Sequence, residues 1–185
     1  MQNVYKNFFL ELYNQLCSVA TSDLEIIQAH ITDVRTKKNK VLIAGNGGSH
    51  AIASHLSVDM TKICNVTAIS FSDPSLITCL SNDFAYDLAL QKFIEYYHQE
   101  GDLVILISSS GKSQNIINAA TKAKELGLKL ITLSGFSSDN PLKQLGDVNV
   151  HIPIDHYNIV ENCHQILLTT VMDLIAGNIV NHKEV

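Results

Sequence analysis

The chain has 185 residues, a formal net charge of −5, and 46% hydrophobic against 17% charged residues. That length suits one domain burying about 70% of its unfolded surface, and that balance excludes a disordered chain. The acidic charge argues against sequence-independent binding to nucleic acid or an anionic membrane, which needs a basic surface. A small anion held by a local nest of N–H donors remains open.

Residues 1–36 read as two helices. Val4, Phe8, Phe9, Leu12, Leu16 and Val19 fall on one 3.6-residue stripe. Thr21-Ser22-Asp23 interrupts the pattern and supplies cap residues for a second helix, with Leu24, Ile27, Ile31 and Val34 inward. Together they present more apolar surface than one helix layer needs, which predicts packing against other copies. The start, Met1-Gln2-Asn3-Val4-Tyr5-Lys6, lacks the pattern of a signal peptide, and no apolar run approaches the roughly 20 residues that span a bilayer.

From Lys40 onward strands and helices alternate. Apolar, β-branched runs at 41–44, 66–71, 103–107, 129–133 and 148–154 predict five strands. Helical patterns lie at about 48–63, 84–99 and 113–126, with a short one near 141–145 and a long last helix at about 158–177. Gly127 stands where a helix C-terminal glycine belongs. Continuous apolar strands separated by helices predict an α/β fold with a parallel sheet covered on both faces. No linker, low-complexity tract or internal repeat divides the chain.

Two polar loops each follow a strand and open a helix: Gly45-Asn46-Gly47-Gly48-Ser49-His50 and Ser108-Ser109-Ser110-Gly111-Lys112-Ser113. In open parallel sheets ligands bind at the carboxyl ends of strands, and N–H groups at a helix start favour an anion. Ser72-Asp73-Pro74-Ser75 and Ser134-Gly135-Phe136 end strands there too. Gly111-Lys112-Ser113 resembles the end of a P-loop, but the glycine required five residues earlier is Leu106. The first loop lacks the third glycine of a dinucleotide fingerprint, where His50 stands, and no acidic residue ends the next strand at Ser70-Phe71. What remains is a serine-rich loop with four hydroxyls in six residues, and a helix cap accounts for one or two of them. That surplus predicts a phosphate site at Ser108, Ser109, Ser110 and Ser113.

The four cysteines, Cys17, Cys64, Cys79 and Cys163, form no CxxC pair and read as free buried thiols of a reducing cytoplasm. His30, His98 and His182 sit in polar stretches and read as surface residues. His50 ends the glycine turn near the site, and His151 and His156 carry no assignment.

These loops, with His55, Ser81-Asn82-Asp83-Phe84 and the helix after Ser113, resemble the SIS-domain (sugar isomerase) family, most closely its phosphoheptose isomerase group. The resemblance covers nearly the whole chain. It implies a single SIS domain over 1–185, a five-stranded parallel sheet between helices in three αβα layers, and two N-terminal helices used in oligomer packing. It assigns the sugar phosphate to Ser108, Ser109, Ser110 and Ser113, and further substrate contacts to Asn46, Gly47, Gly48, Asn82 and Asp83. It implies a cytoplasmic homotetramer with active sites shared between subunits. The implied reaction is sedoheptulose 7-phosphate to D-glycero-D-manno-heptose 7-phosphate, feeding heptose synthesis for lipopolysaccharide or capsule. The family's helical His and Glu correspond to His55 and Asp59, and its last-helix Gln and His correspond to Glu161 and Thr169. His164 is present one turn after Glu161, at a different position of that helix.

Isomerisation needs a base beside the carbonyl and a donor or cation for the enediolate oxygen. His55 and Asp59 share a helix face; if the last helix faces them, His55, Asp59 and Glu161 offer a Zn²⁺ site with an open position. Alternatively Glu161 is the base and His164 a proton carrier. Asp59, Glu161 and His164 are therefore the catalytic candidates, and His55, Asp59 and Glu161 the metal candidates. Because the catalytic positions are altered, a non-catalytic phosphosugar-binding or regulatory protein, or an isomerase of another sugar phosphate, remains the alternative.

Overall fold

A computed structural model describes residues 2–178; His182 lies outside them. The chain runs α1 (Gln2–Ser18), α2 (Thr21–Lys37), β1 (Lys40–Gly45), α3 (Gly48–Lys62), β2 (Thr67–Ser70), α4 (Pro74–Phe84), α5 (Tyr86–Tyr97), β3 (Leu103–Ser108), α6 (Gln114–Glu125), β4 (Lys129–Gly135), a 3-10 turn (Leu142–Gln144), β5 (Val148–Ile152) and α7 (Tyr157–Ala176). The five strands pair parallel in the order β2-β1-β3-β4-β5. The order reverses between β1 and β3, so the crevice for a ligand opens at their carboxyl ends. The register sets Gly45 beside Ile107, which brings the two polar loops next to each other.

Alternation along the strands builds two cores. Val41 and Ile43, with Leu103, Ile105 and Ile107, face a layer made by α2, α3 and α7; Leu42 and Ala44, with Val104 and Leu106, face α4, α5 and α6. The three αβα layers follow from this two-sided burial.

Several local expectations change. Residues 72–75 open an additional helix, α4, with Asp73 as N-cap accepting a hydrogen bond from Leu76 N and Pro74 in the first turn. Ala85 then separates α4 from α5, which begins at Tyr86 rather than Phe84. The N-cap of α2 is Ala20, and it makes no side-chain cap bond; Thr21-Ser22-Asp23 lies inside the helix. On α1, Phe8, Leu12 and Leu16 pack on the core, as does Val19 just after it, while Val4 and Phe9 point outward with Tyr5, Leu10 and Tyr13. A 17-residue amphipathic helix laid on a domain surface turns only one stripe inward. Cys64 and Cys163 are buried, but Cys17 and Cys79 are exposed; all four are free. His30 and His98 are half-buried. No helix among the described residues is long and apolar enough to cross a membrane.

Candidate functional site

Asn46, Ser49, Ser108, Ser109, Ser110, Ser113, Tyr157 and Glu161 line a cleft of about 110 Å³ at the β1/β3 switch point. Its floor is the serine loop. Gly111 turns that loop with φ +65°, and the buried Asn140 side chain lies against it where any Cβ would collide. Leu142 N also donates to the Gly111 carbonyl at 3.1 Å. Ser113 is the N-cap of α6 but makes no side-chain cap bond; its hydroxyl instead accepts from Ser108 Oγ at 3.2 Å. The serine hydroxyls are therefore not consumed as helix caps. They face the cleft beside the start of α6, whose first N–H groups lack intrahelical partners. The loop thus gathers neutral hydrogen-bond donors at one end of the cleft, and Lys112 contributes its backbone N–H to Ser110 Oγ at 3.3 Å.

The opposite wall carries a carboxylate. Glu161, on the second turn of α7, lays its side chain over Gly48, the first residue of α3; a Cβ there would collide with the carboxyl group. Ser109 Oγ donates to Glu161 Oε1 at 3.4 Å and lies 3.5 Å from Ser49 Oγ. The cleft is thus polarised. Its serine end offers hydroxyl donors, and its other end carries the Glu161 carboxylate. Tyr157 forms the rim and stands edge-on to Phe136, ring centroids 4.8 Å apart.

A second polar cluster lies farther along α3 and α7. His55 Nε2 is 3.3 Å from Asp59 Oδ2, so the expected shared helix face is real. Facing them is Gln165, whose Nε2 is 3.0 Å from His55 Nδ1. Glu161 is absent from this cluster. It sits at Gly48, two turns before His55, a separation of roughly 10 Å along the helix axis. The expected metal trio of His55, Asp59 and Glu161 is therefore not assembled. Among the described residues no three His, Cys, Asp or Glu side chains could hold a metal ion. With both His55 nitrogens engaged by Asp59 and Gln165, the donor set of one chain does not fit Zn²⁺.

Three further expectations are corrected. His164 is fully buried on the core side of α7, where its Nε2 meets the Ser134 carbonyl at 3.1 Å. Burial, with His151 adding to it, lowers its pKa to about 4 despite the Ser134 contact. It is a neutral core residue outside the cleft, so it carries no proton there. Asn82 and Asp83 sit exposed on the last turn of α4, Asn82 Nδ2 donating to Asp83 Oδ1 at 3.0 Å, and neither lines the cleft of this chain. Gly47 lines an adjoining pocket instead, and Gly48 makes room for Glu161. Thr169 donates its hydroxyl to the Gln165 carbonyl of its own helix.

Sequence reasoning missed Ser49, Tyr157 and Gln165. The spacing of Glu161 and Gln165, one turn apart on α7, held a signal that the second would lie on the same face. Nothing in sequence marked Tyr157.

The chain matches the SIS domain family over residues 4–135, and again over 95–176. It is similar to the phosphoheptose isomerase of Pectobacterium atrosepticum, 38% identical over 141 residues, 74% of this chain and 72% of that one. The phosphoheptose isomerase of Glaesserella parasuis is 34% identical over 146 residues, 76% and 74% of the two chains. Among solved structures, a phosphoheptose isomerase from Neisseria gonorrhoeae superposes with a TM-score of 0.86 at 25% identity, covering 94% of this chain and 98% of that one. One from Francisella tularensis shares the fold, with a TM-score of 0.86 at 22% identity over 95% and 96% of the chains. Matched by family, by relatives and by fold over most of its length, the chain belongs to the SIS-domain family and to its phosphoheptose isomerase group.

Proposed function

We propose that this protein is an aldose–ketose isomerase of a sugar phosphate, converting sedoheptulose 7-phosphate to D-glycero-D-manno-heptose 7-phosphate. The observation that carries the reading is the polarised cleft, with an anion grip at one end and one carboxylate at the other. The serine hydroxyls and the α6 N-terminus hold the phosphate. Glu161 takes the proton from the carbon beside the carbonyl and returns it to the former carbonyl carbon. The matching proton moves between the two oxygens, with the Asn46 amide as the donor to the enediolate. The donor set of one chain does not fit Zn²⁺, so the steps here are carried by side chains alone.

The chain acts as a single SIS domain over 1–185. Its homotetrameric state is supported by the outward apolar side of α1, with Tyr5 72%, Val4 68% and Phe9 62% exposed. The His55 side chain, 55% exposed beside Asp59, is open to contact from a neighbouring copy, which suits active sites shared between subunits. Four unpaired cysteines suit a cytoplasmic setting. The test is conversion of sedoheptulose 7-phosphate, followed with and without added Zn²⁺ in wild type and Glu161→Gln. Conversion by wild type that collapses in the variant is expected; no conversion of any five- to seven-carbon sugar phosphate in either condition defeats the reading.

A further inference from the structure

Asn46 stands on the wall between the serine cleft and an adjoining pocket of about 240 Å³ walled by Phe71, Ile77 and Leu90. From that pocket Tyr86, the first residue of α5, reaches Asn46: its hydroxyl lies 2.9 Å from Asn46 Oδ1. Asn46 and Asn115 also exchange two amide hydrogen bonds, each 2.9 Å. Which way these amides face follows from one backbone group. Ile116 N–H donates to Asn115 Oδ1 at 3.0 Å. That oxygen is therefore an acceptor, so the Asn46 atom opposite it is the NH₂ group, and Asn46 Oδ1 turns to Tyr86 and accepts its O–H. With Oδ1 accepting twice, Asn46 presents donors only. One Nδ2 hydrogen goes to Asn115; among the described residues the other meets no acceptor, and it belongs to a residue on the cleft wall.

The backbone beside Tyr86 carries an independent mark. Ala85 adopts φ +70° and ψ 154°, a region almost confined to glycine. Such a conformation persists only where the contacts on both sides over-determine it. Here α4 ends at Phe84 and α5 begins at Tyr86 with nothing between them but this residue. The strain is placed next to the side chain that reaches the site.

We infer that Tyr86 is a positioning residue of the active site: its hydroxyl fixes the Asn46 amide so that the free N–H donates to an oxygen of the bound sugar. This deepens the proposed isomerase reading and rests on its placement of the sugar between the serine grip and Glu161. Tyr86 touches no reacting atom; it acts through Asn46.

The experiment measures dissociation constants for sedoheptulose 7-phosphate and for inorganic phosphate, by titration calorimetry, in wild type, Tyr86→Phe, Asn46→Ala and the double variant. Kinetic constants are taken in parallel. Tyr86→Phe keeps the ring and the fold, and Asn46→Ser replaces Asn46→Ala if the latter fails to fold. Loss of one hydrogen bond to an oriented amide should weaken the sugar phosphate about tenfold in Tyr86→Phe. Inorganic phosphate should bind unchanged, because the serine loop does not use Asn46. In the Asn46→Ala background the same change should cost nothing further. Additive losses, an equal loss for inorganic phosphate, or no loss in Tyr86→Phe would each overturn the inference. The expected binding pattern without any isomerisation would overturn the proposed reaction and leave the Tyr86–Asn46 unit standing. A wild type that binds no sugar phosphate would overturn both.

Discussion

The two polar regions shared by α3 and α7 differ in what surrounds them. At the N-terminal end of α3, Glu161 meets serine hydroxyls, a helix start and a cleft wall. Two turns along, His55, Asp59 and Gln165 meet mainly one another, and the His55 side chain is 55% exposed. Both regions carry a carboxylate on a helix, and the cleft of about 110 Å³ lies beside Glu161. A catalytic assignment therefore depends on what a carboxylate faces. Residue type and helical spacing alone do not supply it.

Deleting each carboxylate tests this contrast most sharply. Glu161→Gln should lower the isomerisation rate by at least ~10²-fold while sugar-phosphate affinity persists. Asp59→Asn should cost at least tenfold less by the same logic, since its partner is His55. Equal losses in steady-state assays would break the contrast and show that the second cluster reaches the sugar from a neighbouring copy.

The proposed anion grip comes next in size. Removing Ser110 and Ser113 hydroxyls together, as Ser110→Ala and Ser113→Ala, should weaken inorganic phosphate and sugar phosphate alike. Hydrogen bonds to charged groups contribute about 1.5–3 kcal/mol each, so the combined loss should reach roughly 10²-fold. Unchanged affinity by calorimetry would remove the serine end from the site.

Smaller effects are expected away from both regions. Phe9→Asp and Leu10→Asp place charge on the outward face of α1 and should shift a tetramer toward smaller species in light scattering at micromolar concentration. A wild-type monomer would defeat the tetramer. If the cleft works within one chain, inorganic phosphate should still bind after dissociation. If the His55 cluster serves a neighbour's site, turnover should fall with it.

Acid should act on the support beneath the cleft. His164 has a folded pKa lowered from 6.5 to about 4 by burial, so the unfolded chain binds the proton more readily. Its contribution to stability is complete above about pH 6.5 and is lost as the pH falls toward about 4. The full loss is of order 3 kcal/mol, and burial lowers the His151 pKa in the same direction. Urea melts across that window should show this loss of stability in wild type and not in His164→Gln; the same pH dependence in both would exclude His164 as the source.

Much of this was legible in the chain. Continuous apolar runs such as Leu103 to Ile107 marked the strands, and the hydroxyl surplus in residues 108–113 marked the serine loop that floors the cleft, because both are local consequences of residue type and hydrogen-bonding capacity. α4 escaped notice because Pro74 after Ser72-Asp73 reads equally as a turn and as a helix start. His164 and Gln165 are adjacent on α7, and sequence alone favoured the histidine. Tertiary packing decided otherwise: the helix turns His164 into the core under Ser134 and Gln165 outward to His55, since adjacent helical residues lie about 100° apart. In the same way, the sequence by itself determined the α/β class, the order of the five strands and the place of the serine loop at the end of β3. Only the tertiary structure decided which carboxylate shares the cleft with that loop, because Glu161 and the serines meet across 52 residues of chain. That meeting is set by how α7 packs over Gly48, a contact that no local pattern encodes.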